Sequence, residues 1–597
     1  MSSVSDNSST PTEDKTVTVN DLVKHGISEG TGEFIHDLGT ADAPLTASDF
    51  DAQFASLQAA ASENDCDVTV LRKAVVGKEG SGKVAGEVLV RRRGVDLLEC
   101  TPERRSFTEV RVCVTGNVDS GKSTMLGVLT HGVLDDGRGS ARLSVFRHQH
   151  EASTGRTSSI SHGSLGFNST CDIVTYSSID KFSNPGSTLT KEGTTQKDTS
   201  SISKSSKDNA KAPKDNKVAK LVTFVDLAGH ERYLKTTMFG MTGHQPDYAM
   251  LMIGANMGVI GMTKEHLGVA AALRLPFFLV VTKTDICPAN VFKSTIDQIK
   301  KVIRSLGGKK VPLMVKNEDD MLLCVRKFTK GSIVPVFCTS SVTGLRIDLL
   351  RSFLNLLPSS QSWDTRSNDP VELIVDTDWS VRGAGTVLSG TLTHGTLSLS
   401  GPAATTSLLL GPDPHGNFVP VGIKSIYVNG APAARAYAGQ SCSVALRKVA
   451  RRDVREGMRV ISAEKKDIVA CYEFDADILV LYHSTTIALG YEAVVHCANV
   501  KQTARLVAIE GGKTVLRTGD KARVKFRFMR YPECVVPGSR IIFREGKAKG
   551  IGKVVDVTKY VPTVGAGGAT EDGTRRGKGK KPRVRGRSSS SDAAVKS

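Results

Sequence analysis

One nine-residue stretch, GNVDSGKST at residues 116–124, limits most strongly what this chain can fold into. It contains the pattern Gly-x-x-x-x-Gly-Lys-Ser, with an alternating apolar run before it and apolar residues at helical spacing after it. A glycine-rich loop between a strand and a helix lets backbone N–H groups close around phosphate oxygens. The Lys122 ammonium can then neutralise phosphate charge, and the Ser123 hydroxyl can bind Mg²⁺. We therefore expect an α/β nucleotide-binding domain.

The ends of later apolar runs carry the other candidate residues of the nucleotide site. In an open α/β sheet, ligands bind at the carboxyl ends of the strands, so the motifs should follow strands in order along the chain. The predicted nucleotide-binding residues are Gly116, Asn117, Val118, Asp119, Ser120, Gly121, Lys122, Ser123, Thr124, Asp226, Gly229, Thr282, Lys283, Asp285, Ser340 and Ser341.

The segment TKTD at residues 282–285 indicates which base is bound. The Asp285 carboxylate can accept hydrogen bonds from both N1–H and the N2 amino group of guanine, while the Lys283 stem covers the ring. Adenine has no such pair of donors. The backbone of Ser340 and Ser341 can meet the guanine O6. These residues predict GTP and GDP as the ligands.

The segment DLAGH at residues 226–230 contains the candidates for metal binding and hydrolysis. Asp226 is expected to support Mg²⁺, and the N–H of Gly229 can meet the γ-phosphate. His230 is the candidate that orients water for in-line attack, since phosphoryl transfer needs positioning rather than covalent chemistry from the protein. The alternative for His230 is a capping or packing histidine.

These motifs, in this order, resemble the five G motifs of the translational GTPases, the family of elongation factor Tu and elongation factor 1-alpha. Over about residues 68–560 the chain resembles the GTP-binding protein 1/2 subfamily more closely, in stretches such as LTHGVLDDGRGSAR, DLAGHERYLKTTMFGMTGH and FREGKAKGIG. The resemblance implies a GTPase that forms GDP and phosphate. It also implies the ribosome and tRNA, or another RNA, as partners.

Two departures from the family pattern concern the site. Thr282 stands where asparagine is usual, which removes an amide that braces the loop. The switch I pattern becomes RTSSI at residues 156–160. This register places Ser159 at the Mg²⁺-ligand position beside Ser123 and Asp226, with Thr157 as the alternative, and it replaces a hydrophobic gate residue by Ser158.

Changes in composition predict the domain organisation: an α/β P-loop GTPase domain followed by two β-barrel domains. The GTP-binding domain is expected at residues 106–365, with a disordered insertion at 183–220 that lacks large apolar residues. The other expected segments are a largely disordered acidic arm at 1–66, a small N-terminal segment at 67–105, β-barrels at 370–465 and 466–560, and a disordered basic tail at 561–597.

The net charge of +18 is carried by the body of the chain. The acidic arm contributes −10, the insertion +4 and the tail +6, so these three segments cancel. A basic body suits a polyanion such as RNA, and the alternative is a merely solvated surface. Eleven scattered cysteines without a C-x-x-C pair indicate a reducing compartment. We expect a cytoplasmic monomer without a membrane anchor.

The predicted function is a GTPase switch that acts with ribosome and tRNA, either in delivery to the decoding site or in surveillance of stalled ribosomes and messages. One alternative is a GTP-dependent scaffold that recruits RNA-decay or signalling proteins and never enters the ribosome. A second is an accessory GTPase of sulfate activation, which shares the architecture. The subfamily stretches argue against the second alternative.

Overall fold

The computed structural model describes residues 18–560 except 31, 41, 77–82, 95–106, 147–148, 155–156, 175–216, 307–309, 330, 362, 401–406, 429, 466 and 547. Along these residues the chain forms a small N-terminal α/β unit, a seven-stranded α/β domain and two closed β-barrels. This arrangement confirms the predicted fold class. The predicted basic tail and most of the predicted insertion lie outside the described residues, and the domain boundaries stay predictions.

The N-terminal unit is a four-stranded antiparallel sheet with two helices. Its central strand pairs with the other three. The elements are α1 (Val19–Glu29), β1 (Glu33–Leu38), β2 (Leu45–Thr46), α2 (Ala47–Glu63), β3 (Cys66–Val75) and the central β4 (Lys83–Arg92).

The expectation of a largely disordered arm at residues 1–66 is wrong for most of residues 18–66. Composition hid two amphipathic helices whose apolar residues recur at helical spacing, among them Val23 and Ile27 in α1, which are buried. Each helix follows a threonine that caps it. The Thr18 and Thr46 side chains accept the backbone N–H three residues later, at 3.1 and 3.2 Å.

A buried ion-pair group joins the N-terminal unit to the α/β domain. The Arg91 guanidinium donates to Glu33 at 2.7 Å and to the Asn355 side chain at 2.8 Å. Lys220 also pairs with Glu33 and donates to the Leu357 carbonyl at 2.6 Å. Burial acts to raise the pKa of Glu33, but the two cations outweigh it and lower that pKa. Because an unpaired buried charge is costly, the two parts should fold as one unit.

The α/β domain is built on one mainly parallel sheet in the order β10-β11-β9-β8-β5-β7-β6, with only β6 antiparallel to its neighbour. Apolar clusters cover both faces of the sheet. Its strands are β5 (Thr108–Gly116), β6 (Ser161–Phe167), β7 (Lys220–Asp226), β8 (Tyr248–Gly254), β9 (Phe277–Thr282), β10 (Val311–Val315) and β11 (Ile333–Cys338).

The helices of this domain alternate with the strands, as expected when parallel strands are connected by crossovers. They are α3 (Lys122–His131), α4 (Gln149–Thr154), α5 (Leu234–Gly243), α6 (Gly261–Ala272), α7 (Ala289–Ser305), α8 (Glu318–Phe328) and α9 (Ile347–Leu356), with 3₁₀ turns at Ser140–Ser144 and Glu231–Tyr233.

The predicted end of the insertion, residue 220, lies within the folded α/β domain. Val218 and Ala219 are buried, and Lys220 is the first residue of β7. The lysines around this position resemble those of the preceding polar segment, so charge alone gave no boundary. Lys220 has a buried carboxylate partner, Glu33.

Two closed barrels follow a short helix, α10 (Trp363–Arg366). In each barrel six strands form the closed ring, and three short strands do not belong to it. The first barrel closes through β15 and β16, and the second through β21 and β26. The first contains β12 (Glu372–Val381), β13 (Gly385–His394), β14 (Thr396–Ser398), β15 (Leu408–Gly411), β16 (Val419–Val428), β17 (Ala431–Ala433), β18 (Arg435–Tyr437), β19 (Ser441–Arg447) and β20 (Arg459–Ser462), with a 3₁₀ turn at Arg451–Asp453.

The second barrel surrounds an aromatic core that includes Phe474, Phe526 and Phe543. Its strands are β21 (Ala470–Tyr482), β22 (Ile487–Ala488), β23 (Glu492–Cys497), β24 (Val500–Ile509), β25 (Val515–Leu516), β26 (Lys521–Phe528), β27 (Glu533–Cys534), β28 (Arg540–Glu545) and β29 (Ala548–Lys559). Within the described ranges, no helix combines the length and the apolar character needed to cross a membrane.

Candidate nucleotide site

The loop of residues 116–124 connects the buried strand β5 to helix α3. Gly121 caps α3 with a φ of +80°, a conformation that favours glycine. The Lys122 side chain is buried and its Nζ donates to the Asn117 carbonyl at 2.7 Å. The Ser120 hydroxyl donates to the same carbonyl at 2.8 Å. The loop is therefore already curled around its own lysine, as a phosphate cradle requires.

Two glycines let other chain segments approach this loop closely. A Cβ atom on Gly116 would lie 2.4 Å from the Met252 carbonyl oxygen. A Cβ atom on Gly229 would lie 2.7 Å from the Gly116 carbonyl oxygen and 2.4 Å from the Lys122 Nζ. Since real Cβ atoms do not approach other atoms so closely, glycine is needed at both positions. Gly229 thus lies directly beside Lys122.

The candidate metal residues meet at the start of α3. The Ser123 hydroxyl donates to Asp226 at 2.8 Å and lies 2.8 Å from the Thr157 hydroxyl, which in turn is 3.4 Å from Asp226. Asp226 is fully buried, and its Oδ1 has no hydrogen-bond partner among the described residues. Burial raises the pKa of Asp226 to about 6, although Lys122 and the Ser123 hydroxyl act in the opposite direction.

These three side chains fit Mg²⁺, which prefers oxygen ligands and takes few of them from the protein when phosphates supply the rest. The buried, unpaired Asp226 Oδ1 supports this fit. Within the described part of the chain, no group of three or more His, Cys, Asp or Glu side chains forms a metal site of another kind. When bound, Mg²⁺ would neutralise charge on the phosphate oxygens.

The structure corrects the preferred switch I register. It places Thr157, not Ser159, beside Ser123 and Asp226. The Ser159 hydroxyl instead donates to Glu151 at 3.1 Å. The sequence RTSSI offers three adjacent hydroxyls, and position in a linear pattern could not tell which of them turns inwards. Thr157 was the alternative left open.

Hydroxyl groups hold the loops that are the candidates for binding guanine. Thr282 donates to the Ser120 carbonyl at 2.8 Å, so a threonine braces the loop where an asparagine was expected to be needed. Thr284 donates to the Thr339 carbonyl at 3.0 Å, which joins the loops that follow β9 and β11. Asp285, the candidate that accepts hydrogen bonds from the base, is exposed in this structure.

The second guanine loop is more enclosed than the first. Ser340 is fully buried, and its hydroxyl accepts backbone N–H groups from Val342 and Thr343 at 3.3 and 3.1 Å. The Ser341 carbonyl accepts the backbone N–H of Asp135 at 2.9 Å. The backbone of this loop is therefore held by hydrogen bonds at both Ser340 and Ser341 without a bound base.

His230 lies on an exposed turn next to Gly229. Its Nδ1 accepts the backbone N–H of Arg232 at 3.1 Å, and its ring lies edge-on to Tyr233 with 6.2 Å between centroids. The capping role that was the alternative for this histidine is thus present in the structure. A role in hydrolysis stays a prediction, and it requires the ring to leave this cap.

Comparisons with known proteins agree with this geometry. A family model described as the elongation factor Tu GTP binding domain matches residues 108–359. GTP-binding protein 1 of Xenopus laevis is 42% identical over 543 residues, which cover 90% of this chain and 76% of that protein. The chain belongs to the GTP-binding protein 1/2 family. GTP-binding protein 2 of Mus musculus is 39% identical over 544 residues, covering 90% of this chain and 83% of that protein.

More distant similarities place the GTP-binding protein 1/2 family among the translational GTPases. Elongation factor 1-alpha of Thermococcus kodakarensis is 25% identical over 354 residues, covering 58% of this chain and 75% of that protein. As a member of this superfamily, the protein binds GTP and GDP and is a GTPase. This confirms the predicted nucleotide and activity.

Solved structures show the same fold at low identity. The bacterial selenocysteine-specific elongation factor EF-Sec has a TM-score of 0.51 at 15% identity, covering 75% of this chain and only 58% of that chain. Elongation factor SelB of Methanococcus maripaludis, solved with the GTP analogue GppNHp, has a TM-score of 0.51 at 16% identity, covering 76% of this chain and 81% of that chain. At such identities the likeness concerns the fold alone.

The sequence analysis missed two carboxylates of this protein that shape the candidate site. Glu151 is buried and accepts hydrogen bonds from the switch I serines. Burial acts to raise the pKa of Glu151, but those hydrogen bonds outweigh it and lower it to about 2. Asp135 accepts three backbone N–H groups, from Gly137, Gly139 and Ala141, at 3.1 to 3.2 Å. The Asp-Asp-Gly-x-Gly pattern, typical of such turns, was the available signal for Asp135.

Proposed function

We propose that the protein is a cytoplasmic GTPase switch that engages the ribosome and a tRNA or another RNA, in delivery to the decoding site or in surveillance of ribosomes and messages. GTP and Mg²⁺ would order switch I and the turn at His230, and hydrolysis would release them. The candidate site residues act as described above: the loop 116–124 with Asp226 and Gly229 binds phosphates, the loops at 282–285 and 340–341 bind guanine, and His230 orients water.

One observation carries the switch part of this proposal: helix α5, which begins four residues after His230, is packed against the second barrel. Leu234 and Met238 of α5 lie in one apolar cluster with Ile542 of β28. The neighbouring helix α6 is tied to the same barrel, since Arg544 lies 3.4 Å from Glu265. A change in the turn at His230 would therefore be transmitted to the barrels.

The charge distribution supports an RNA partner on the first barrel rather than on the β21–β26 face of the second. On that face two cations of β26 lie opposite carboxylates, in the Arg523–Asp477 pair at 2.8 Å and the Lys525–Asp475 pair at 3.3 Å. Arg447 at the end of β19, and Lys448 and Arg452 in the segment that follows it, are exposed. Cations of this kind would contact phosphates and make binding sensitive to salt.

The decisive experiment is sedimentation of the full-length protein with ribosomes in a nonhydrolysable GTP analogue, in GDP and without nucleotide. We expect comigration with ribosomes only in the analogue. A Lys122→Ala variant is the control, because its loss of nucleotide binding should abolish comigration. Failure of the parent protein to comigrate in the analogue would support the alternative of a scaffold that recruits RNA-decay proteins.

A second measurement locates the RNA contacts. Since the body carries the whole net charge, deletion of residues 561–597 should reduce the salt slope of RNA binding by only a few units. If RNA binding at moderate salt disappeared with residues 561–597, the barrels would not be the RNA surface. Sedimentation of the free protein should show a monomer.

A further inference from the structure

One buried carboxylate holds the switch I segment, residues 157–160. Glu151 in helix α4 is 0% exposed. Its Oε1 accepts four hydrogen bonds: from the backbone N–H and hydroxyl of Ser158 at 2.7 and 2.8 Å, and from those of Ser159 at 3.0 and 3.1 Å. Hydrogen bonds to an ionised acceptor are stronger than neutral ones, so this single oxygen is a firm anchor for two consecutive residues.

A neighbouring histidine completes the anchor. The Nε2 of His150 lies 2.8 Å from the Ser158 hydroxyl. Because that hydroxyl donates to Glu151, its oxygen accepts from the histidine ring. Ser158, which replaces the apolar gate residue of the family pattern, is therefore bonded on both sides rather than loose.

The anchor determines where the preceding residue points. Thr157 directly precedes the two anchored serines, and its hydroxyl lies 2.8 Å from Ser123 and 3.4 Å from Asp226. With the backbone N–H groups of Ser158 and Ser159 fixed on Glu151, the Thr157 side chain is directed at the candidate Mg²⁺ residues. The Ser159 side chain is directed away from them.

We propose that Glu151 is a positioning residue for GTP hydrolysis: it holds switch I so that Thr157, and not Ser159, faces Mg²⁺ and the γ-phosphate. The proposal rests on the hydrolytic part of the proposed function and requires no ribosome, so its test uses the isolated full-length protein.

The main variant is Glu151→Gln. It removes the negative charge and places an amide N–H₂ group close to the four groups of Ser158 and Ser159 that donate to Glu151. We expect the Mg²⁺ concentration for half-maximal single-turnover hydrolysis to rise about tenfold, since charge-assisted hydrogen bonds are lost. Affinity for a nonhydrolysable GTP analogue should fall by about the same factor, whereas GDP affinity should stay within about twofold because GDP has no γ-phosphate. A merely structural role would weaken both nucleotides equally.

The matched control is Asp136→Asn, which alters an exposed carboxylate that also accepts two backbone N–H groups, from Arg138 at 2.8 Å and Ser140 at 3.2 Å. It should leave the Mg²⁺ dependence unchanged. Equal loss of GDP and analogue binding in Glu151→Gln, or an unchanged Mg²⁺ requirement, overturns the positioning role. If Glu151→Gln does not fold, the double variant Ser158→Ala/Ser159→Ala removes two of the four donors and must show the same selective change.

Two further variants separate failure of the anchor from failure of the metal site. Thr157→Ala should raise the Mg²⁺ requirement at least as much as Glu151→Gln does, and Ser159→Ala should raise it only about two- to fivefold, the worth of one hydrogen bond. If Thr157→Ala has its effect and Glu151→Gln has none, the positioning role alone is wrong. If Ser159→Ala has the larger effect, Ser159 is the ligand and the proposal is wrong.

Discussion

The loop of residues 116–124 and the turn that carries His230 both border the phosphate site, but they are held in different ways. The loop lies between buried elements, and the Lys122 Nζ donates to the Asn117 carbonyl. Thr282, at the end of β9, braces the loop through the Ser120 carbonyl. The His230 ring is exposed, and the hydrogen bond from Arg232 to its Nδ1 holds it in a capping position.

The difference separates binding from hydrolysis. A site whose donors are fixed before the ligand arrives binds without reorganisation, whereas a catalytic ring that is capped elsewhere must first be moved. We infer that this protein binds guanine nucleotide by itself and hydrolyses GTP slowly until a partner repositions His230. The following four variants test the two halves of this comparison.

The substitution His230→Ala should have the largest effect, on the rate of GTP hydrolysis measured with ribosomes present. By analogy with other stimulated GTPases, we expect the stimulated single-turnover rate to fall about 10³-fold. GTP affinity should stay within about threefold, because the ring makes no binding contact in this interpretation. His25→Ala, an exposed histidine on α1, is the control. A stimulated rate that does not change in His230→Ala would remove this residue from the mechanism.

Lys122→Ala should affect binding rather than the chemical step alone. Loss of a buried ammonium that meets phosphate oxygens should weaken GTP and GDP alike by roughly 100-fold, the value of about two charge-assisted hydrogen bonds. Equilibrium titration with a fluorescent guanine nucleotide measures this, with Lys300→Ala on the exposed face of α7 as the control. A loss below about fivefold would mean that the loop does not bind phosphate through Lys122.

Asp285→Asn should change which base is preferred. We expect GTP affinity to fall about 30-fold, since a bidentate contact to a base is worth roughly 1–3 kcal/mol. Xanthine nucleotides should gain, because their C2 oxygen accepts the hydrogen bond that the new amide donates. Competition binding with GTP, XTP and ATP decides the matter, and equal affinity of the parent protein for ATP and GTP would contradict the assignment.

Thr282→Ala should have the smallest effect. It removes one neutral hydrogen bond to the Ser120 carbonyl, so nucleotide affinity should fall only about two- to tenfold. Thr282→Asn, which restores the usual family residue, should bind at least as well as the parent protein. If Thr282→Ala had no effect on the dissociation rate of GDP, the loop would not depend on this brace.

The parts of the candidate site that could be predicted from the sequence are those with local causes. The loop 116–124 follows from glycine conformations and from the strand and helix that flank it, and the guanine and phosphate motifs follow strand ends in order. The N-terminal unit was missed because composition was averaged over residues 1–66. The pattern Thr-x-x-Asp before each helix, as at Thr18 and Thr46, would have revealed both helices.

The nucleotide, the order of the domains and the candidate phosphate lysine could be predicted from the sequence, because each prediction depends on motifs of residues close together in the chain. Only the tertiary structure decided that Thr157 rather than Ser159 faces Ser123, and that Lys220 belongs to a buried pair rather than to the polar insertion. The first outcome depends on the direction in which the Thr157 side chain points. The second depends on Glu33, a partner distant in sequence. A linear pattern contains the donors and acceptors, but packing selects which of them meet.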